Sequence, residues 1–114
     1  MAEKILESVK ASLMIVSDYE VYDGQIIDDI NSVFSTLHQI GYHYVDDFEI
    51  TTGDETWDQI IPSKKFNFVK RLIICKVRLM FDPPSSSFAV DALNREIDEL
   101  TWRINVEMET GGDD

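Results

Sequence analysis

The side chains in this sequence that could carry chemistry are few: His38 and His43 as bases or metal ligands, Cys75 as a nucleophile, and a large excess of carboxylates. A nucleophile needs an activating base held against it, and no glycine-rich elbow or phosphate-binding loop surrounds Cys75 or any serine. Cys75 follows Leu72, Ile73 and Ile74, an apolar run in which a thiol behaves as a small buried hydrophobe, and a single cysteine forms no internal disulfide. His38 and His43 flank Gly41 with no third ligand at a standard spacing, so they read as surface or loop histidines. Asp46, Asp47 and Glu49 ahead of Gly53 invite a calcium reading. An EF-hand loop begun at Asp47, however, places Thr52 where glycine is required and Asp58 where the bidentate Glu belongs. Asp28 and Asp29 diverge on a helix and complement the positive end of its dipole. The residues therefore predict no catalytic group, no metal site and no cofactor. A metal-dependent hydrolase would rest only on scattered acids and two histidines.

Charge narrows the classes further. Twenty-two acidic and 10 basic side chains leave a formal charge of −12 over 114 residues. That balance repels phosphate backbones and disfavours a duplex-DNA or anionic-membrane binder. A hydrophobic share of 44% argues for a folded chain, and its length predicts one domain, taken as 1–108, followed by a flexible acidic tail at 109–114. The start, MAEKILESVK, lacks an apolar signal region, and no apolar run approaches the ~20 residues that span a bilayer, which predicts a soluble, intracellularly made protein.

The elements that must position these residues are helical. Ile5, Leu6, Val9, Leu13 and Val16 recur at helical spacing, with Glu3, Lys4, Glu7, Ser8 and Lys10 on the opposite face. Asp23 can cap a second helix whose apolar positions Ile26, Ile30, Val33, Leu37 and Ile40 step by 4, 3, 4 and 3 before Gly41. Residues 42–54 break the pattern. Phe48 and Ile50 alternate with polar neighbours, which predicts an ordered loop that could contain a short strand. Thr56 with Gln59 fits a capping box for a turn or two of helix, and Trp57 should plug this loop onto the core. From 66 to 80, apolar residues lie nearly all round, the mark of a central helix stopped by Asp82-Pro83-Pro84. Ser85, Ser86 and Ser87 offer caps for a last helix over 88–108, carrying Val90, Leu93, Ile97, Leu100 and Ile104 on its apolar face. Asp91 with Arg95 and Glu99 with Arg103 sit one turn apart in the favourable order. The expected class is all-α, a small bundle of about four helices with a long C-terminal one. Its core should include Ile30, Leu37, Leu72, Ile73, Val77, Leu93, Ile97 and Leu100.

Between Asp58 and Asp82 there is no acidic residue, while Lys64, Lys65, Lys70, Arg71, Lys76 and Arg78 supply six of the ten basic side chains. In so acidic a molecule such a segment most simply matches carboxylates on neighbouring helices or on a neighbouring subunit.

The stretch KVRLMFDPPSSSF at 76–88, followed by Ala92, Leu93, Ile97, Glu99, Leu100, Trp102 and Arg103, resembles the head-tail connector (adaptor) family of long-tailed double-stranded DNA bacteriophages. IIDDIN at 26–31, LHQIG at 37–41 and WDQII at 57–61 appear in the family's order, so the resemblance covers nearly the whole chain. It implies a structural, non-enzymatic virion protein at the head–tail interface, assembled in the bacterial host cytoplasm. It further implies a dodecameric ring below the portal protein that extends the DNA channel and docks the next neck or tail-completion protein. An acidic wall suits such a channel, because packaged DNA slides past it without binding. In the family the end of the last helix reaches toward the portal, which here points to Glu107, Met108, Glu109, Asp113 and Asp114. Ring closure needs unlike patches to meet. The basic segment with Lys70, Arg71 and Arg78 is accordingly expected against the last helix of the next subunit, with Asp91, Arg95, Glu99 and Arg103. The alternative from another class is a stand-alone acidic decoy or antitoxin-like binder that occupies a basic protein's nucleic-acid site.

Overall fold

A computed structural model describes residues 3–110 of the chain. Its helices are α1 (Ile5–Ser12), α2 (Asp23–Gln39), α3 (Phe68–Phe81) and α4 (Ser87–Thr110), with 3₁₀ turns at His43–Val45, Trp57–Gln59 and Lys64–Phe66. The class is all-α, as expected. Among the described residues there is no strand at Phe48 and Ile50; an isolated antiparallel bridge joins Lys4 to Thr56 instead. Among the described residues no helix is long and apolar enough to cross a membrane.

α3 is the centre of the bundle. Val69, Leu72, Ile73, Cys75 and Val77 are buried, a wide arc that allows α2 and α4 to pack on it together while α1 touches both α2 and α3. α2 contributes Ile26, Ile30, Val33, Phe34 and Leu37. α4 contributes a narrower stripe, Ile97, Leu100 and Ile104. Leu93 was expected in the core but is only half-buried, packed against the edge of the core cluster, because the neighbouring helices cover this part of the apolar face of α4 only in part. The free Cys75 thiol is buried, and burial pushes its pKa up, in keeping with a packing role.

The helix ends show where local chemistry decided the outcome. α2 closes as read from the sequence: Gly41 takes φ +101°, its N–H donates to the His38 carbonyl at 3.1 Å, and the Tyr42 N–H donates to the Leu37 carbonyl at 2.9 Å. α1 stops sooner than its apolar spacing suggests. Met14 occupies the same left-handed position at φ 65°, and the Ile15 N–H reaches back to the Lys10 carbonyl at 2.9 Å. With the helix ended at Ser12, Val16 is exposed and does not join the apolar face. α4 starts on Ser86, whose Oγ accepts from the Ala89 N–H at 3.1 Å, and it runs to Thr110, two residues past the expected end.

Asp23 does not cap α2. It is the first helical residue, and its Oδ1 pairs instead with Lys10 Nζ at 2.7 Å. Lys10 was placed on the polar face of α1 by spacing alone, yet it is 1% exposed.

The long segment between α2 and α3 is held by polar clasps. Asn31 of α2 exchanges both amide bonds with Ile50: Nδ2 donates to the carbonyl at 3.0 Å and Oδ1 accepts from the N–H at 2.8 Å. Glu55 accepts from the backbone N–H groups of Thr51, Thr52 and Gly53. Burial would raise the Glu55 pKa, but these donors outweigh it and hold the carboxyl at about 2. The Thr56 N–H donates to Gln59 Oε1 at 2.7 Å, the reciprocal half of the expected capping box. Trp57 is buried, and its Nε1 donates to Ser8 Oγ at 2.9 Å, so it does fasten the loop onto α1. Tyr42 is buried beside Phe66 and donates its hydroxyl proton to the Ile60 carbonyl at 2.6 Å.

Candidate assembly surfaces

The basic segment divides into two groups. Lys70 and Arg71 are engaged within the chain. Lys70 Nζ meets Glu3 Oε1 at 3.0 Å and lies 5.5 Å from the Trp57 ring centroid. Arg71 grips Glu96 of α4 bidentately, Nε to Oε2 at 2.6 Å and Nη2 to Oε1 at 3.0 Å. That grip raises the Arg71 pKa and lowers that of Glu96. Arg78 Nε donates to the Asp82 carbonyl at 3.2 Å and closes the end of α3. Arg103 stacks its guanidinium 4.2 Å from the Phe68 ring centroid. Lys70, Arg71, Arg78 and Arg103 therefore all have partners inside one subunit. Glu96 was missed by sequence reasoning. Only the packing of α4 on α3 brings it opposite Arg71, 25 residues away in the chain.

Asp91, Arg95 and Glu99 are exposed along the outer side of α4. Among the described residues neither Asp91–Arg95 nor Glu99–Arg103 forms an ion pair, although their spacing allows it. On the same outer side stand Phe88 at 77% exposure and Trp102 at 62%. Phe88, Arg95 and Trp102 recur every seventh residue and so share one stripe of the helix. An aromatic–arginine stripe of this kind has the composition of interface hot spots.

At the far end of α4, Glu107 and Met108 are half-buried, with Met108 packed against the core, and Glu109 is exposed. These three residues belong to the helix. Asp113 and Asp114, the remaining members of the expected portal-docking set, lie outside the described residues.

The two histidines converge on one carboxylate. His38 Nδ1 lies 2.5 Å from Asp46 Oδ1, and His43 Nδ1 lies 3.4 Å from Asp46 Oδ2. The hydrogen bond and charge of Asp46 raise the His38 pKa, and His38 in turn lowers that of Asp46. The raised His38 value means its contribution is complete below the ordinary histidine pKa and fades as pH rises through the elevated one. The lowered Asp46 value means the pair also fades as pH falls below the ordinary aspartate range. The clasp is accordingly strongest in mildly acidic solution. An NMR titration of the imidazoles should place the His38 pKa above its ordinary 6.5 in the wild-type chain and return it toward that value in Asp46→Asn. A value unmoved by the substitution would refute the pairing.

No group of three or more His, Cys, Asp or Glu side chains among the described residues is arranged to hold a metal ion. Asp29, beside Asp28, has its carboxyl pushed up by burial and then by that neighbouring charge.

A family model described as "Phage connector protein" matches residues 5–111, a span that includes all four helices. Comparison with curated proteins and with solved structures gives no match.

Proposed function

Because this chain belongs to the phage connector family, a family of structural virion components, we propose that it is the head-tail connector (adaptor): a subunit of a ring seated below the portal protein. The ring extends the DNA channel and presents a landing surface to the next neck or tail-completion protein, and it assembles in the host cytoplasm. The observation that carries this reading is the extent of the family match, which takes in the whole bundle and not one short motif.

Two physical features support it. A formal charge of −12 suits a channel wall past which DNA must move without sticking. The outer stripe of α4, with Phe88, Arg95 and Trp102 uncovered, is a surface that a lone subunit leaves unused. Lys70, Arg71, Arg78, Asp91, Arg95, Glu99 and Arg103 are proposed as inter-subunit contacts, with Asp91, Arg95 and Glu99 exposed on the outer side of α4. Glu107, Met108 and Glu109, with Asp113 and Asp114, are proposed as the arm that docks the portal.

Projection imaging of the purified chain mixed with its portal should show added ring density on the portal's tail-facing side. A chain ending at Val106 should keep its helicity but lose portal attachment, and in infected cells it should leave DNA-filled heads without tails. If the full-length chain adds no density to the portal, the connector reading fails. If the shortened chain attaches normally, the docking arm lies elsewhere on α4.

A further inference from the structure

Opposite the core, Trp102 is a large aromatic side chain with 62% of its surface in water. Elsewhere on the subunit, α2, α3 and α4 part around a groove of about 200 Å³, a volume on the scale of one large side chain. Its apolar walls include Val33, Leu79 and Met80; Thr36 and Asn94 supply polar atoms; Lys76 is the one charged residue lining it. Val33 is almost fully buried and Met80 is 47% exposed, so the groove has an apolar floor and an open lip.

We infer that Trp102 of one copy seats in this groove of the next copy, with Lys76 of the receiving copy facing Asp98 and Glu99 of the incoming helix. This inference rests on the ring reading and identifies the contact that would close it. Three observations carry it. The first is chemical fit: an indole offers a broad apolar face and one N–H donor, and the groove offers apolar walls with the polar groups of Thr36 and Asn94 among them. The second is charge. Asp98 and Glu99 stand one turn before Trp102 on the same exposed side of α4, and neither forms an ion pair among the described residues. Lys76 likewise makes none, so the incoming acids meet a cation with no acidic residue among the groove's lining. In a chain of such negative charge, a locally presented basic group lowers the repulsion between copies and orients their approach.

The third observation is direction. Ile97 lines the groove and Trp102 follows five residues later, roughly 140° round the helix at ~3.6 residues per turn. Knob and hole therefore lie on different faces of one subunit. A contact between them is heterologous, and repeating it produces a ring when the rotation closes.

The test uses the full-length chain and measures assembly by sedimentation velocity over a range of concentrations, alone and with the portal. Trp102→Ala should weaken assembly at least tenfold while leaving helicity and melting temperature of the subunit unchanged, since the side chain is exposed. Lys76→Glu should weaken it comparably, as should Glu99→Lys, and the double variant carrying both reversals should recover most of the loss. If the wild-type chain assembles and Trp102→Ala and Lys76→Glu assemble with the same concentration dependence, the seat is overturned and the ring reading stands. If the wild-type chain assembles neither alone nor on the portal, the ring reading itself falls and the seat falls with it.

Discussion

Truncating Ile73 to alanine is expected to lower the unfolding free energy by about 2–5 kcal/mol, the range for removing a large aliphatic side chain from a packed core. Ile73 has no exposed surface and stands at the middle of α3, the helix on which α2 and α4 both pack. The cost combines the lost transfer of the side chain from water with the cavity left behind, which helices fixed on two sides can fill only in part. Domains of this size are stable by only about 5–15 kcal/mol, so the loss is a large share of the whole. Ile74→Ala removes the same group from the adjacent, half-buried position and should cost visibly less. Thermal and urea unfolding followed by circular dichroism measure both. An Ile73→Ala chain that melts with the wild type would mean that α3 is not central.

The second large effect is expected at Lys10, a residue whose sequence context gives no hint of burial. Its Nζ, at the end of a side chain almost wholly removed from water, donates to the Ser17 carbonyl at 3.0 Å and pairs with Asp23 at 2.7 Å. The ammonium thereby joins the last turn of α1, the connecting loop and the first turn of α2. Lys10→Ala leaves the carbonyl and the carboxylate without their cation and opens space where the aliphatic stem was packed. Breaking a buried pair from one side costs about 3–5 kcal/mol. Asp23 retains 27% exposure and can recover some solvation, which places the expected loss near the lower end. Lys10→Met should be milder than alanine, because it keeps the stem. Adding Asp23→Asn to Lys10→Met should recover part of the remaining loss, because no unpaired carboxylate then faces the site. A Lys10→Ala melting temperature equal to that of the wild type would show that the pair is no more than a surface contact.

Much of this protein could be read directly from the order of its residues, and the reason is periodicity. An apolar side chain every three or four residues can be buried only as a helix. The stops are equally local: glycine at Gly41 tolerates a left-handed φ, and Pro83 and Pro84 cannot continue α3. The helical class, the central place of α3, the capping box at Thr56 and the plug at Trp57 follow from such short-range rules. So does the absence of any motif for nucleophilic or metal chemistry from the sequence itself.

Tertiary structure decided what short-range rules leave open. Met14 adopts a conformation usually left to glycine, so α1 ends four residues before Val16 with no sequence mark of the stop. Lys10 is charged and was therefore assigned to solvent, but Asp23 and the Ser17 carbonyl give its ammonium partners that only the fold brings near. Arg71 and Glu96 meet for the same reason, and so do the two histidines around Asp46. Leu93 fits the apolar stripe of α4 yet stays half-buried at the edge of the core, because burial depends on how far neighbouring helices cover the stripe and not on the stripe itself. Periodicity specifies which face of a helix is apolar. It cannot specify how far a neighbour covers that face, and this is why the exposed Trp102 and the groove lined by Lys76 became visible only in the folded chain.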